Sequence, residues 1–196
     1  MENVRGDGDG WVVSEAGTHH WGRFGAAGLL VRAPREDGRP AVLLQHRAAW
    51  SHQGGTWGLP GGALDSHEEP QEAALREAEE EAGLPLEHLR VRAQIQTAEV
   101  RGPRGAHWRY TTVIADAPAL LETVPNRESY ELRWVAEDEV AGLLLHPGFA
   151  ASWHRLRISA AVPPHTCALD FAHTLEIAGA GFAWCAAGIS APPEQH

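Results

Sequence analysis

The sequence predicts a single α/β domain, on three observations. Short apolar runs bounded by Gly, Pro and charged residues recur between Phe24 and Val135, as strands do. One run, Pro70–Ala82, instead holds only good helix formers after its proline and stops at a glycine. The length, 196 residues, suits one ordinary domain with enough apolar content to bury a core.

Taken in order, residues 1–20 are glycine-rich and acidic and read as a mobile segment, in which Trp11-Val12-Val13 is a candidate edge strand. Phe24–Arg32 and Ala41–Arg47 are apolar runs separated by the charged turn Pro34–Pro40, hence two strands of a hairpin-like pair. A glycine-rich loop, 48–62, precedes the helix. Pro70 suits a first helical position, where its missing N–H has no partner to lose, and Gly83 suits a left-handed stop. Leu89–Val100 and Arg109–Ala117 read as strands around the polar segment 101–107, and Glu131–Val135 as a further short strand. Glu137–Leu143 reads as a short helix, and Gly148–Arg157 as an amphipathic one with Phe149, Trp153 and Leu156 on one face. The domain is therefore placed at 21–160. In the extension 161–196, Cys167, Leu169, Phe171, Leu175 and Ile177 stand against Thr166, Asp170, Thr174 and Glu176 with a period of two. With Gly179-Ala180-Gly181 as a turn, a hairpin over 166–186 is expected, and its exposed edge would suit a homodimer.

Composition excludes several classes. The formal net charge is −10, and residues 68–84 alone hold seven Glu against one Arg, so duplex nucleic acid would be repelled. Two cysteines without a C-x-x-C exclude a disulfide framework and a cysteine zinc site. The start has no charged-then-apolar leader pattern and no apolar run reaches membrane-spanning length, which predicts a cytoplasmic protein without membrane contact. His67-Glu68 does not open an H-E-x-x-H site, since Gln71 stands where the second His belongs, and neither G-x-S-x-G nor a phosphate-loop G-K-[ST] occurs.

The chemistry is concentrated between Gly62 and Leu84. On a helix, Ala74, Ala78 and Ala82 make a narrow apolar stripe that permits close packing, while Glu77, Glu80 and Glu81 share another face. Like charges at these spacings cost roughly 0.2–0.5 kcal/mol each when exposed, and about 4 kcal/mol per close pair at an effective dielectric near 20. Arg76 is four residues from both Glu72 and Glu80, but one guanidinium cannot neutralise seven carboxylates. A hard divalent cation, Mg²⁺ with Mn²⁺ as a substitute, is the natural complement of carboxylate, carbonyl and water oxygens.

The spacing resembles the Nudix box, the signature of the Nudix hydrolases. Gly62, Glu68, Arg76, Glu77, Glu80, Glu81 and Gly83 stand at its invariant positions, with Ala78 and Leu84 at its apolar ones. Gly54-Gly55-Thr56-Trp57-Gly58-Leu59-Pro60-Gly61 looks like the family's run into the box, so the likeness covers roughly Phe24 to Arg157. The resemblance implies a mixed sheet sandwiched between helices and cleavage of a diphosphate bond in a small nucleotide. It implies that Glu77, Glu80 and Glu81, with the Gly61 carbonyl, hold one to three Mg²⁺, that Arg76 orients a box Glu, and that Glu68 supports the loop–helix junction. In such enzymes the general base is a box Glu or a Glu from a later loop, here Glu128 or Glu131. Arg47 stands where the family commonly places a basic phosphate ligand.

Other candidates stay open at this level. Trp50 and Trp108 either stack on a base or fill core. Arg101-Gly-Pro-Arg104-Gly is either a phosphate-contacting loop or a polar hairpin tip, and His19-His20 is either a metal ligand pair or solvated surface. The ADP-ribose subset's proline is absent from its usual offset, where Val100 stands, and the NADH subset's Pro- and Trp-rich array is missing. Nucleoside triphosphates rank first as substrates, ADP-ribose or a sugar nucleotide second, and a catalytically silent binding module third. The silent module ranks last because such modules usually lose box carboxylates.

Overall fold

The computed structural model describes residues 6–161, apart from the side chains of Arg104 and of 159–161. The hairpin expected over 166–186 lies outside the described residues. The chain divides into two units, Met1–His154 and Arg155–His196, and the account below concerns the first.

Its centre is β3 (Ala26–Pro34), an apolar strand buried along nearly its whole length, as expected of a strand covered on both faces. It pairs in parallel with β8 (His107–Asp116), from Ala26↔Tyr110 to Arg32↔Asp116. At its other edge it pairs antiparallel with β4 (Pro40–Arg47) through the charged turn, where Gly38 takes φ 77°. β4 continues to β9 (Ser129–Ala136), and β8 continues to the long β7 (Arg90–Arg101). Two short strands in the glycine-rich loop were not visible in the sequence: β5 (Trp57–Gly58) on β4, and β6 (Gly61–Ala63) on β3. They are too short, and too rich in glycine, to show an alternating pattern.

The helix α1 (Pro70–Ala82) begins and ends where the sequence places it, with Gly83 left-handed at φ 62°. Ala74, Ala78 and Ala82 are fully buried and pack with Ala27, Leu29 and Val31 of β3 and Val113 and Ala115 of β8. Two expectations change. The segment 137–143 forms only a 3₁₀ turn at Val140–Gly142, and α2 (Pro147–Ala161) starts one residue earlier than read and extends further.

The glycine-rich start also carries more structure than its composition suggests. Trp11–Val13 (β1) pairs with His19–Trp21 (β2) as a separate two-stranded sheet rather than as an edge of the main one. This hairpin is fastened at three places. Asp7 accepts hydrogen bonds from the Ser66 N–H (2.8 Å) and hydroxyl (2.5 Å), and the Gly8 N–H donates to Asp65 (2.9 Å). The Glu15 N–H donates to the Arg101 carbonyl (3.1 Å), and the Trp108 indole N–H to the Trp21 carbonyl (2.8 Å). Among the described residues no helix is long and apolar enough to cross a membrane.

Gly61 is a point of close backbone approach, because a Cβ there would overlap the Ala27 carbonyl and sit 2.5 Å from the Gly28 Cα, both backbone. Gly61→Ala is expected to destabilise the protein by roughly 1–3 kcal/mol, as overpacking does. Gly142→Ala, where a Cβ meets nothing within 4 Å, serves as the control. Thermal melting of the two variants checks this; equal melting temperatures would contradict it.

Candidate active site

Because the alanine stripe lets α1 lie close on β3, the carboxylates beside the stripe are pressed against the backbone of β6. Glu81 is 4% exposed, and its Oε2 accepts the Gly61 N–H at 2.8 Å. The Gln45 side chain also donates to it. Glu77 lies so close to Gly62 that a Cβ there would collide with its carboxylate. Glu80, next along the helix, keeps its side chain about half exposed.

Arg76 holds this face together, though not through the partners its spacing suggests. Its Nε and Nη2 donate to the two oxygens of Glu68 (2.6 and 2.9 Å), Nη1 to Glu77 (2.9 Å), and Nη2 also to the Ala63 carbonyl (3.1 Å). Glu80 is a looser partner at 3.8 Å, while Glu72 instead accepts the Glu69 N–H at the helix start. Glu68 in turn accepts the Asp65 N–H (3.0 Å), so the fork ties the loop before the helix to the helix itself. Its hydrogen bonds from Arg76 hold the Glu68 carboxyl below its ordinary pKa.

The loop after β8 closes the end of α1. Val124 and Asn126 donate their N–H groups to the carbonyls of Ala82 and Glu81 (2.8 and 3.2 Å), which are free because the helix stops there. Asn126 Oδ1 then accepts the Glu128 N–H, and the Glu128 carbonyl accepts the Ala48 N–H. This brings Glu128 near enough to Glu77 for its charge to raise the Glu77 pKa. Glu131 instead pairs with Arg133 on the strand surface (2.7 Å).

Arg47, at the end of β4, faces the same place: its Nε donates to the His52 carbonyl (3.0 Å), and its charge stabilises ionised Glu81. Trp50 is 65% exposed in the next loop, whereas Trp108 is buried. The segment with Arg104 is the tip of the β7–β8 hairpin, a 3₁₀ turn at Pro103–Gly105. The Arg104 side chain lies outside the described residues. His20 sits against the Trp108 ring and bonds Thr18, as a packed surface residue does. Separately, Asp7, Asp65 and His67 place ligand-capable atoms within 4.8 Å of one another at the hairpin latch.

The electrostatics explain what such a site needs. Burial pushes the Glu77 carboxyl up to about 7, against the pull of Arg76, with Glu80 and Glu128 adding to the rise. Burial pushes Glu81 up to about 8, and the Glu77 charge adds to it. A buried carboxylate (Glu81) and a half-buried one (Glu77) held against the Gly61-Gly62 backbone, with the more exposed Glu80 beside them, form an oxygen donor set suited to a hard divalent cation. Glycine at 62 leaves the space that the Glu77 carboxylate occupies, and glycine at 61 lets β6 lie close on β3.

Comparison with known proteins agrees with the geometry. The sequence matches the NUDIX domain family over residues 22–156. The chain belongs to the Nudix hydrolase family. A Mycobacterium tuberculosis protein named "Putative 8-oxo-dGTP diphosphatase 3" is 65% identical over 191 residues, 95% of this chain and 88% of that one. The crystal structure of the Nudix hydrolase RenU from M. smegmatis is 66% identical, with a TM-score of 0.77, covering 82% of this chain and all of that one. A Bifidobacterium longum nucleoside triphosphate pyrophosphatase/Nudix hydrolase fusion protein is 43% identical over 79% of this chain and 32% of its own length. The fold is the family's α/β/α sandwich on a mixed sheet, the chain is an enzyme of this hydrolase class, and such hydrolases generally use divalent metal.

Two residues of this Nudix hydrolase's site carry no sequence signal. Gln45 is fully buried, donating to the Ser129 hydroxyl (2.8 Å) as well as to Glu81, and in the sequence it is only one polar residue in an apolar run. Tyr110 fills the space left by Gly28, where any Cβ would strike its hydroxyl, and burial raises its pKa with Glu81 and Glu77 nearby.

The raised carboxyls set a sign for stability. Both start from 4.5 when unfolded, so the folded metal-free protein holds their protons more tightly. That contribution is complete below pH 4.5 and is lost as pH rises through about 7 and 8. The metal-free melting temperature should therefore fall between pH 6 and pH 8 more steeply than that of Glu81→Gln. Millimolar Mg²⁺ should raise it more at pH 8, where ligands need no deprotonation. Parallel pH curves for the two proteins would contradict the burial argument.

Proposed function

We propose that this Nudix hydrolase is a divalent-metal-dependent pyrophosphohydrolase of nucleoside triphosphates, and that an oxidised purine nucleotide such as 8-oxo-dGTP is its first candidate substrate. The observation that carries the reading is the pair of buried Glu81 and half-buried Glu77 against Gly61-Gly62, with the Arg47 guanidinium acting on Glu81 from β4. The name of the M. tuberculosis relative supports the substrate, and the absence of the ADP-ribose subset's proline weighs against the second-ranked class.

A phosphoanhydride is shielded from nucleophiles by its own negative oxygens, so a site that cleaves it must supply positive charge and an activated water. Mg²⁺, with Mn²⁺ as a substitute, held by Glu77, Glu80, Glu81 and the Gly61 carbonyl, would supply charge to the phosphate oxygens and acidity to a water. The chain's own residues supply the rest. Arg47 binds and orients a phosphate group through its guanidinium. Arg76, clamped by Glu68, fixes the Glu77 carboxylate in one orientation. Glu128, carried in by the capping loop, is the candidate acceptor of the attacking water's proton, since it sits beside the carboxylates without being locked in an ion pair with Arg76. Closure of α1 against β6 excludes bulk water from Glu81 and so strengthens each of these charges.

The experiment is a panel of nucleoside triphosphates, oxidised and unmodified, with ADP-ribose and a sugar nucleotide, assayed with Mg²⁺ for pyrophosphate or phosphate release. An oxidised purine nucleoside triphosphate is expected to give the highest kcat/KM. Glu80→Gln and Glu81→Gln should each lose at least roughly a hundredfold in kcat, the scale of a lost metal ligand or its support. Both should melt no lower than the parent in metal-free buffer above pH 8, where Glu81 is ionised and each variant removes one of several repelling charges. Near-normal turnover of either variant at saturating Mg²⁺ would remove the metal assignment, and a clear preference for ADP-ribose would remove the substrate assignment.

A further inference from the structure

The N-terminal hairpin does more than cover a sheet end. A run of aromatic rings leads from it toward Arg47: the Trp11 centroid lies 4.9 Å from Trp21 and 5.6 Å from His52, and His52 lies 6.0 Å from His146. His52 belongs to the loop whose carbonyl receives the Arg47 Nε, and His146 is joined to β5 through its N–H on the Trp57 carbonyl (2.8 Å). Three parts of the chain distant in sequence, the hairpin, the loop after β4 and the segment before α2, thus meet near the guanidinium, whose charge acts on His52 and His146 as well as on Glu81. Trp11 nevertheless remains 50% exposed and Trp21 37%. Half-exposed indoles, held on a hairpin anchored at several points, are an apolar surface offered to water at a cost unless something covers it.

We propose that the hairpin forms one wall of a purine-base subsite, in which the exposed face of Trp11 stacks on the base and His52 and His146 meet its polar edge. The inference rests on the nucleoside triphosphate reading above and names the part of the site that selects the base. Charge sets the orientation. The triphosphate belongs at Arg47 and the box, so the neutral base falls on the uncharged rings beyond. Both imidazoles stay neutral at pH 7, since burial lowers His52 and brings His146 down to about 4, with Arg47 adding to both effects. A neutral ring reads hydrogen-bond pattern rather than charge. In His146 the Nδ1 accepts the Gly148 N–H (3.1 Å), which leaves the ring proton on Nε2 as a donor to a base carbonyl or ring nitrogen. A bicyclic purine covers more of an indole face than a pyrimidine does, so stacking here favours purines. Trp50, although more exposed, lies outside this run of rings.

The test uses the full chain with Mg²⁺ and compares the parent with Trp11→Ala, Trp11→Phe and His146→Ala, on a purine nucleoside triphosphate and its pyrimidine counterpart. Inorganic tripolyphosphate serves as a base-free competitive inhibitor. Trp11→Ala is expected to raise KM for the purine substrate roughly tenfold or more, the scale of one lost base–aromatic stack. Its kcat should fall much less, and the inhibition constant of tripolyphosphate should stay near the parent's. Trp11→Phe should recover most of the KM, and His146→Ala should narrow the preference for purine over pyrimidine. If Trp11→Ala lowers the melting temperature too far to assay, the other two variants carry the test, since each leaves the hairpin's backbone bonds in place. Parent-like KM and base preference in every folded variant would overturn the subsite, as would an equal loss of tripolyphosphate binding, which would mark the hairpin as support only. A parent that turns over no nucleoside triphosphate would overturn the functional reading instead.

Discussion

Close approach of α1 to the central strand is the constraint on which the rest of the site depends. With alanine at 74, 78 and 82, the helix backbone can lie against Ala27, Leu29 and Val31 with no large side chain between them. Glu77 and Glu81, flanking that stripe, are then set against β6, where Gly62 leaves room for the Glu77 carboxylate and the Gly61 N–H donates to Glu81. A leucine at any of the three alanine positions would lift the helix and dissolve the pocket. The cost of this arrangement is visible in the acidities: Glu77 and Glu81 are both pushed up by burial before any partner acts on them. Desolvated charge is expensive unless compensated, and the protein compensates only in part, through one N–H, one amide, the Arg76 guanidinium shared with Glu68, and the charge of Arg47.

The elements around the helix act as a frame for that incomplete compensation. The capping loop satisfies helix-end carbonyls with Val124 and Asn126, and in doing so delivers Glu128 to the edge of the site. The loop after β4 is stitched to the same segment through Ala48 and holds Arg47 by its Nε. Secondary-structure completion and site assembly are here the same set of hydrogen bonds. The N-terminal hairpin adds a second frame at right angles to the first in sequence terms, since residues near 7, 21 and 101 are brought together by it. Its latch lands on Asp65 and Ser66, in the loop that leads into the helix, so hairpin and box loop share a foundation.

Much of this was legible in the sequence because it is written in local patterns. The strands β3, β4, β7, β8 and β9 and the helix α1 announce themselves by apolar runs, by a proline at the start and by a glycine at the stop, all of which act within a few residues. The carboxylate array was legible for the same reason: its spacing is a property of one helix. What failed to show were features made by meetings between distant segments. Arg76 chooses Glu68 and Glu77 over Glu72 because the loop before the helix folds back over it, which no count of four residues can reveal. Gln45 and Tyr110 became site residues only through neighbours on other strands.

The sequence by itself determined the family, the helix, the spacing of the carboxylates and their charge imbalance, since each is set by residue type and short-range geometry. Tertiary structure alone decided which carboxylates are buried, which guanidinium holds them, and which rings gather near Arg47. Burial depends on what packs above a residue, and that is fixed by long-range pairing: β6 on β3, the capping loop on α1, and the N-terminal hairpin against Trp108 and His52. Electrostatic consequences follow burial, so the shifted acidities of Glu77, Glu81 and His146 could only appear once the chain was folded.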